Sequence, residues 1–423
     1  MHKTHYIDLN ETIVYHRLEN GLSLAIIEKK GFKTSSFFLA TPYGALDVYQ
    51  EDDQKQYSNS LGIAHFLEHK LFENNNGIDV MEAFSELGAY VNAFTSHNET
   101  VYTFSGVKNI EKGLNLLLDF VQQFDVTEAS VEKEKGIIVQ ELNMYNQMPE
   151  QRLINETYQA LYNNHPIRFD IGGDEASVNS ISREELIEVY QRNYHPQNSL
   201  LVCVSHLKAQ DLVKIIENNQ SHKTFMNKRL VKRSLTNENT EVNKAYSEFE
   251  MDINASKMTY SFKLAHLSSD ESVNLKREWT LRMACELVFS SINENYQTWL
   301  DKNRIHDYFG YEIEVNKAYG FVMFYGEGED KDDFKALIDE ALKTDLNQFE
   351  EDFIPLKRRY KAMLIRSLND HDDYAVSLIR STFANIPFEY QFDVLDQIHF
   401  EDLKQTFETI LKNPSSFVFM KKK

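Results

Sequence analysis

The sequence predicts an α+β protein of two homologous domains, each a mostly antiparallel β-sheet flanked by α-helices. Three observations lead there. The chain has 423 residues, more than one ordinary hydrophobic core accommodates. Both halves run through the same order of elements: strand, helix, strand pair, helices, strand. Strands stand grouped apart from helices, as in α+β layering. A polar stretch separates the halves, giving a domain over 1–208, a linker region over 209–244 and a domain over 245–423.

In the first half, Asn20-Gly21 is a turn signal before the apolar, β-prone run Ser23 to Ile27, and Ser35 to Ala40 is a second such run. Gly62 to Phe72 has helical periodicity through Ile63, Phe66, Leu67 and Leu71. Asp79 to Leu87 reads as a helix closed by Gly88. Ala89 to Phe94 and Thr100 to Val107 form a strand pair, Ile110 to Phe124 and Glu128 to Tyr145 are amphipathic helices, and Ser199 to His206 is a buried strand. Lys, Asn, Ser and Thr then dominate, as in Asn227-Lys228-Arg229 and Thr236-Asn237-Glu238-Asn239. Beyond it come a strand from Met258 to Leu264, a helix from Glu278 to Asn295, strands Tyr311 to Val315 and Gly320 to Tyr325, two more helices and a closing strand, Ser416 to Met420.

A net charge of −20 argues against a nucleic-acid partner, which needs a basic face to meet phosphates. The 28 Phe and 22 Tyr can fill substantial cores. The two cysteines, Cys203 in a strand pattern and Cys285 in a helical one, read as core residues of a reducing compartment. Residues 1–11 lack the apolar run of a secretory signal, and no stretch approaches the ~18 apolar residues of a spanning helix. The expectation is a cytoplasmic protein with no integral membrane segment.

The chemistry concentrates in His65-Phe66-Leu67-Glu68-His69. Four residues apart on a helix, the two histidines share a face and can bind one tetrahedral zinc ion. Glu68 faces the same pocket, better placed to hold a water than to ligate; this is the inverted zincin order His-x-x-Glu-His. A catalytic zinc needs a third protein ligand and an open fourth position. Glu134 and Glu141, seven residues and two turns apart on one helix, are the candidates. Helical carboxylates are usually solvated, but the apolar turn Ile137-Ile138-Val139 between these two makes partners necessary. His97, His165 and His195 carry no motif and are read as structural.

These residues resemble the family of pitrilysin, insulin-degrading enzyme and mitochondrial processing peptidase, and the wording of Ala64 to Glu73 is closest to its short-chain bacterial members, which work as pairs. The resemblance covers the whole chain. It implies zinc held by His65, His69 and Glu141, with Glu134 supporting the site and Glu68 as general base. It implies that Val91-Asn92-Ala93-Phe94-Thr95 forms an edge strand on which a peptide lies as an added strand; Asn92 reads equally as a simple turn or strand-end residue. The spacing from His69 to Glu141 is slightly shorter than the family's.

One departure concerns partners. Active members carry an Arg and a Tyr, seven residues apart, in a metal-free half, closing over the substrate carbonyl. Here Tyr308 fits, but Asp301 stands where the Arg belongs, with Arg304 three residues away. The resemblance therefore implies a zinc endopeptidase acting on peptides or unfolded segments between two subunits, the second a homologous chain, as a heterodimer in preference to a homodimer. The alternatives are a non-catalytic scaffold of the same fold and a peptide binder that keeps zinc for structure.

Overall fold

The structure, a computed structural model, describes residues 1–73, 79–225, 231–234 and 237–423. They form two compact units. Unit 1 is Met1–Met144, Phe169–Leu235 and Leu368–Phe383; unit 2 is Tyr145–Arg168, Thr236–Ser367 and Ala384–Lys423.

Unit 1 is built on a seven-stranded sheet in the order His2–Tyr6, Glu11–Arg17, Ser23–Glu28, Leu200–Ser205, Ser35–Thr41, Thr100–Gly106, Ala89–Thr95. All neighbours are antiparallel except Ser23–Glu28 with Leu200–Ser205. Unit 2 repeats the last five positions: Tyr246–Met251, Ser415–Lys422, Lys257–Lys263, Gly320–Glu327, Gly310–Val315, again with only the first pair parallel. The two domains are thus homologous in topology as well as in order, and both sheets are mostly antiparallel.

Every residue of Ser35–Thr41 is buried, which requires cover on both faces of the sheet. Phe37 and Leu39 join a core with Phe66 and Leu67 of the helix Ile63–Phe72 and Leu114, Leu117 and Leu118 of the helix Ile110–Gln122. Phe37 stacks on Phe104 at 4.8 Å between centroids. Burying each such side chain contributes about 1.5–3 kcal/mol. On the other face Ser36 meets His371 at 3.2 Å, at the start of the helix His371–Phe383, which packs on the strands Ser35–Thr41 and Leu200–Ser205.

Unit 2 is layered alike. Phe417 and Phe419 face a core with Leu281, Ala284 and Val288 of the helix Glu271–Val288. The alternate residues Val418 and Met420 face Leu153 and Ala160 of the helix Pro149–Leu161. Each sheet therefore has one face covered by a helix that the sequence places in the opposite half.

Two expectations differ from the structure. The helix expected over Glu278 to Asn295 starts at Glu271, capped by Asp270, and stops at Val288; a second helix, Glu294–Asp301, follows. Buried Asn293 makes the break: its Oδ1 accepts the Asn295 N–H and its Nδ2 donates to the Val288 carbonyl, satisfying both helix ends. The polar region 209–244 holds a helix, Ala209–Ser221, whose Leu212, Val213 and Ile216 are buried, and a short strand, Lys232–Arg233, paired with Tyr49–Glu51. Arg233 grips the buried Asp47 through Nε and Nη2 at 3.0 and 2.8 Å, so this segment docks on unit 1. Residues 226–230 and 235–236 of that region, including Asn227-Lys228-Arg229 and Thr236, lie outside the described residues.

Candidate metal centre

The helix Ile63–Phe72 begins after Gly62, whose φ of 80° and closeness to the Gly172 carbonyl exclude a side chain there. Its buried face is Ile63, Phe66, Leu67, Lys70 and Leu71. That burial turns His65, Glu68 and His69 to the opposite face, where they are only partly covered. A second helix, Glu128–Asn146, runs past them, burying Val131, Glu134, Ile138 and Leu142 along one face. Of the apolar turn noted in the sequence, Ile138 is fully buried while Ile137 is 44% exposed. Register along this helix brings Glu134 and Glu141 to the histidines.

The geometry converges on three atoms. Glu141 Oε2 lies 3.8 Å from His65 Nε2 and 3.4 Å from His69 Nε2. The donor atoms of the trio all lie within 4.8 Å of one another, and among the described residues it is the one group of three His, Cys, Asp or Glu side chains so arranged. Ligands 2.0–2.2 Å from a tetrahedral zinc stand about 3.4 Å apart. Glu141 Oε2, the oxygen facing both imidazoles, is buried with no hydrogen-bond partner, as is His65 Nδ1. A buried carboxylate oxygen without a donor is costly, and a divalent cation satisfies it. The donor set of two imidazoles and one carboxylate fits zinc with one position open.

Glu134 is not a member of the trio. Its Oε1 lies 3.1 Å from His69 Nδ1, which favours a proton on Nδ1 and orients the ring so that Nε2 faces Glu141. Burial pushes the Glu134 carboxyl up, but its bonds to His69 and Lys70 outweigh this and hold it below the usual range. Burial likewise pulls His69 down, and the Glu134 bond with the nearby Glu141 and Glu68 raises it overall. His65 is lowered to about 4 by burial and by the neighbouring His69, so it is neutral near pH 7.

Glu68 Oε2 accepts from Thr95 Oγ1 at 2.6 Å. Burial raises its pKa; the Thr95 bond and His69 oppose this. Thr95 closes the strand Ala89–Thr95, the edge of the seven-stranded sheet, so the carboxylate is tied to the strand that carries Asn92 and Ala93. Asn92 is exposed, and Ala93 is partly buried against the core. Tyr308 lies in unit 2, with Lys257 Nζ 3.5 Å from the centre of its ring and Tyr325 beside it. Arg304 is held by Asp333 through Nε and Nη2, and Asp301 accepts from Gln297. Of the other histidines, His165 accepts the Ile167 N–H and His195 the Gln197 N–H, both local structural bonds.

Sequence reading missed Thr95 and Lys70. Lys70 is fully buried and meets Glu134 Oε2 at 3.4 Å. Its signal was present: the period through Phe66 and Leu67 puts residue 70 on the buried face, where a lysine needs an acid. No spacing rule links Thr95 to Glu68; only the strand's placement does.

Comparison with known proteins identifies the family of the chain. The model of the insulinase family, peptidase family M16, matches residues 54–175, and that of the M16 inactive domain matches residues 180–352. An uncharacterised zinc protease of Bacillus subtilis, YmfH, is 32% identical over 406 residues, 95% of each chain. The beta subunit of human mitochondrial-processing peptidase is 29% identical over 206 residues, 47% of this chain and 40% of that one. An M16-like peptidase from Alicyclobacillus acidocaldarius superposes with a TM-score of 0.91 at 27% identity, covering 98% of this chain and 99% of the other. The chain belongs to peptidase family M16, the insulinase family.

Proposed function

We propose that this chain is a zinc-dependent endopeptidase that cleaves peptides or unfolded segments, one zinc ion being held by His65, His69 and Glu141. The observation that carries the reading is the convergence of His65 Nε2, His69 Nε2 and the otherwise unpartnered Glu141 Oε2 beside a carboxylate, Glu68, that Thr95 holds in place. Zinc bound there supplies Lewis acidity, polarising the scissile carbonyl and acidifying the attacking water. Glu68 accepts the water's proton and delivers it to the leaving amine as the carbon–nitrogen bond breaks. Glu134 orients His69 by accepting its Nδ1–H. The open edge of Ala89–Thr95 offers main-chain N–H and C=O groups to an extended peptide, which supports binding with little sequence demand; Asn92 and Ala93 would line it.

The inactive-domain match falls mainly on unit 2, in keeping with chemistry confined to unit 1. The reading includes a second homologous subunit, as a heterodimer in preference to a homodimer, and a cytoplasmic setting, supported by two buried, unpaired cysteines. No helix among the described residues is long and apolar enough to cross a membrane. The test is zinc content and cleavage of a quenched peptide by the wild-type chain and by Glu68→Gln. The variant keeps its zinc and fold and loses about a hundredfold to ten-thousandfold in rate. Near-normal turnover by the metal-loaded variant would overturn the assignment of Glu68.

A further inference from the structure

Lys70 occupies a position where a lysine is rarely tolerated. Its side chain is wholly inaccessible, on the apolar face of the helix that bears both histidines. Taking an ammonium out of water costs several kcal/mol unless it is paired. Its Nζ meets Glu134 Oε2 at 3.4 Å and also contacts Glu73 and the Ser130 hydroxyl. Ser130 in turn donates to Glu73 Oε2 at 2.7 Å. Ser130 and Glu134 sit one turn apart on the helix that also carries Glu141.

The two oxygens of Glu134 are therefore divided. Oε2 faces Lys70 and Oε1 accepts from His69 Nδ1 at 3.1 Å, while His69 Nε2 faces Glu141. A methionine or leucine would fill the Lys70 site at far lower desolvation cost, so the charge is retained for what it touches. We propose that Lys70 is a positioning residue for the metal: it holds the Glu134 carboxylate in the orientation that presents His69 Nε2 to zinc, and so sets zinc affinity without touching the ion. This rests on the reading of the trio as a zinc site. The arrangement is a three-link chain in which an ammonium fixes a carboxylate, the carboxylate fixes an imidazole, and the imidazole ligates. Outer partners of metal-bound histidines are worth roughly 10–100-fold in affinity.

The experiment measures the zinc dissociation constant of the full chain by competition with a chromophoric chelator. Lys70→Met weakens zinc binding about 10–100-fold, and Glu134→Gln does so comparably. If Lys70 acts through Glu134, the double variant stays within about twofold of the weaker single variant. Ser130→Ala, which removes a different Lys70 contact, also stays within about twofold of wild type. Wild-type affinity in Lys70→Met, or a double variant showing the product of both losses, overturns the proposal. Should Lys70→Met fail to fold, Lys70→Gln takes its place, with ring-nitrogen NMR of His69 in the zinc-free chain. Loss of the Nδ1–H bond to Glu134 supports the proposal and its retention overturns it. A wild-type chain with no zinc affinity overturns the peptidase reading beneath it; an unaffected Lys70→Met in a zinc-binding chain overturns only this inference.

Discussion

At the scale of single residues, two glutamates on one helix receive different tasks from their neighbours. Glu141 turns an unpartnered oxygen toward two imidazole nitrogens, and Glu134 is bonded on both oxygens. On the proposed zinc site, Glu141→Gln removes an anionic ligand, so zinc is expected to be lost first and activity to fall with it. Glu134→Gln weakens zinc binding about 10–100-fold but leaves all three proposed ligands in place, so it retains more zinc than Glu141→Gln and loses activity less completely. Metal analysis of the two purified variants side by side reads the order; zinc loss from Glu134→Gln alone would exchange the two roles. The sequence spacing of seven placed both on one face, but which oxygen meets which atom depends on how the two helices are pressed together.

At the scale of elements, carboxylates also fasten segments far apart in the chain, and this gives the protein a defined acid sensitivity. Glu238 accepts the N–H groups of Asn163, Asn164 and His165 at 2.9, 2.7 and 2.7 Å and pairs with Lys263. Burial pushes its carboxyl up, yet Lys263 and the three N–H groups outweigh this and hold it at about 2. The ordinary value is near 4.5, so the folded pKa is depressed. The stabilisation is then fully present above pH ~4.5 and drains away as the pH falls from there through ~2. Glu238→Gln is expected to lower unfolding free energy at pH 7 by about 1–2 kcal/mol, since its side chain is largely covered and pairs with an equally covered Lys263. The deficit should shrink as the pH approaches 2. Urea unfolding of both proteins at pH 7 and pH 3 checks this; a deficit equal at both pH values would refute it. Nothing in the letters around Glu238 distinguishes it from the polar run in which it stands, because its three donors lie more than seventy positions earlier.

At the scale of the whole molecule, the question is where the groups that stabilise a developing oxyanion come from. Asp301 stands at the position where the family resemblance calls for an arginine. An anion there cannot donate to a negative oxygen. Arg304 is engaged by Asp333 and approaches Glu340 at 3.4 Å, and Tyr308 lies under Lys257. We therefore expect the isolated chain to bind zinc and to cleave peptides slowly. Adding a homologous partner that carries the Arg and Tyr should raise the rate about a hundredfold to a thousandfold without changing zinc content. Full activity of the isolated chain, abolished by Tyr308→Phe or Arg304→Ala, would point instead to a homodimer.

Local pattern was enough for the α+β class, the repeated order of elements, the helix bearing His65, Glu68 and His69, and the paired glutamates, because helical period and strand alternation are properties of neighbouring residues. The same pattern, read a little further, held the signal for Lys70. The exchange of helices was not legible: Pro149–Leu161 covers the sheet of unit 2 and His371–Phe383 that of unit 1. An amphipathic helix records that it has an apolar face and not which sheet will receive it. Only the packed chain brings Thr95 to Glu68, Lys70 to Glu134 and Glu141 to both histidines, because those contacts span 27, 64 and more than 70 positions and depend on the register between elements that no local sequence period encodes.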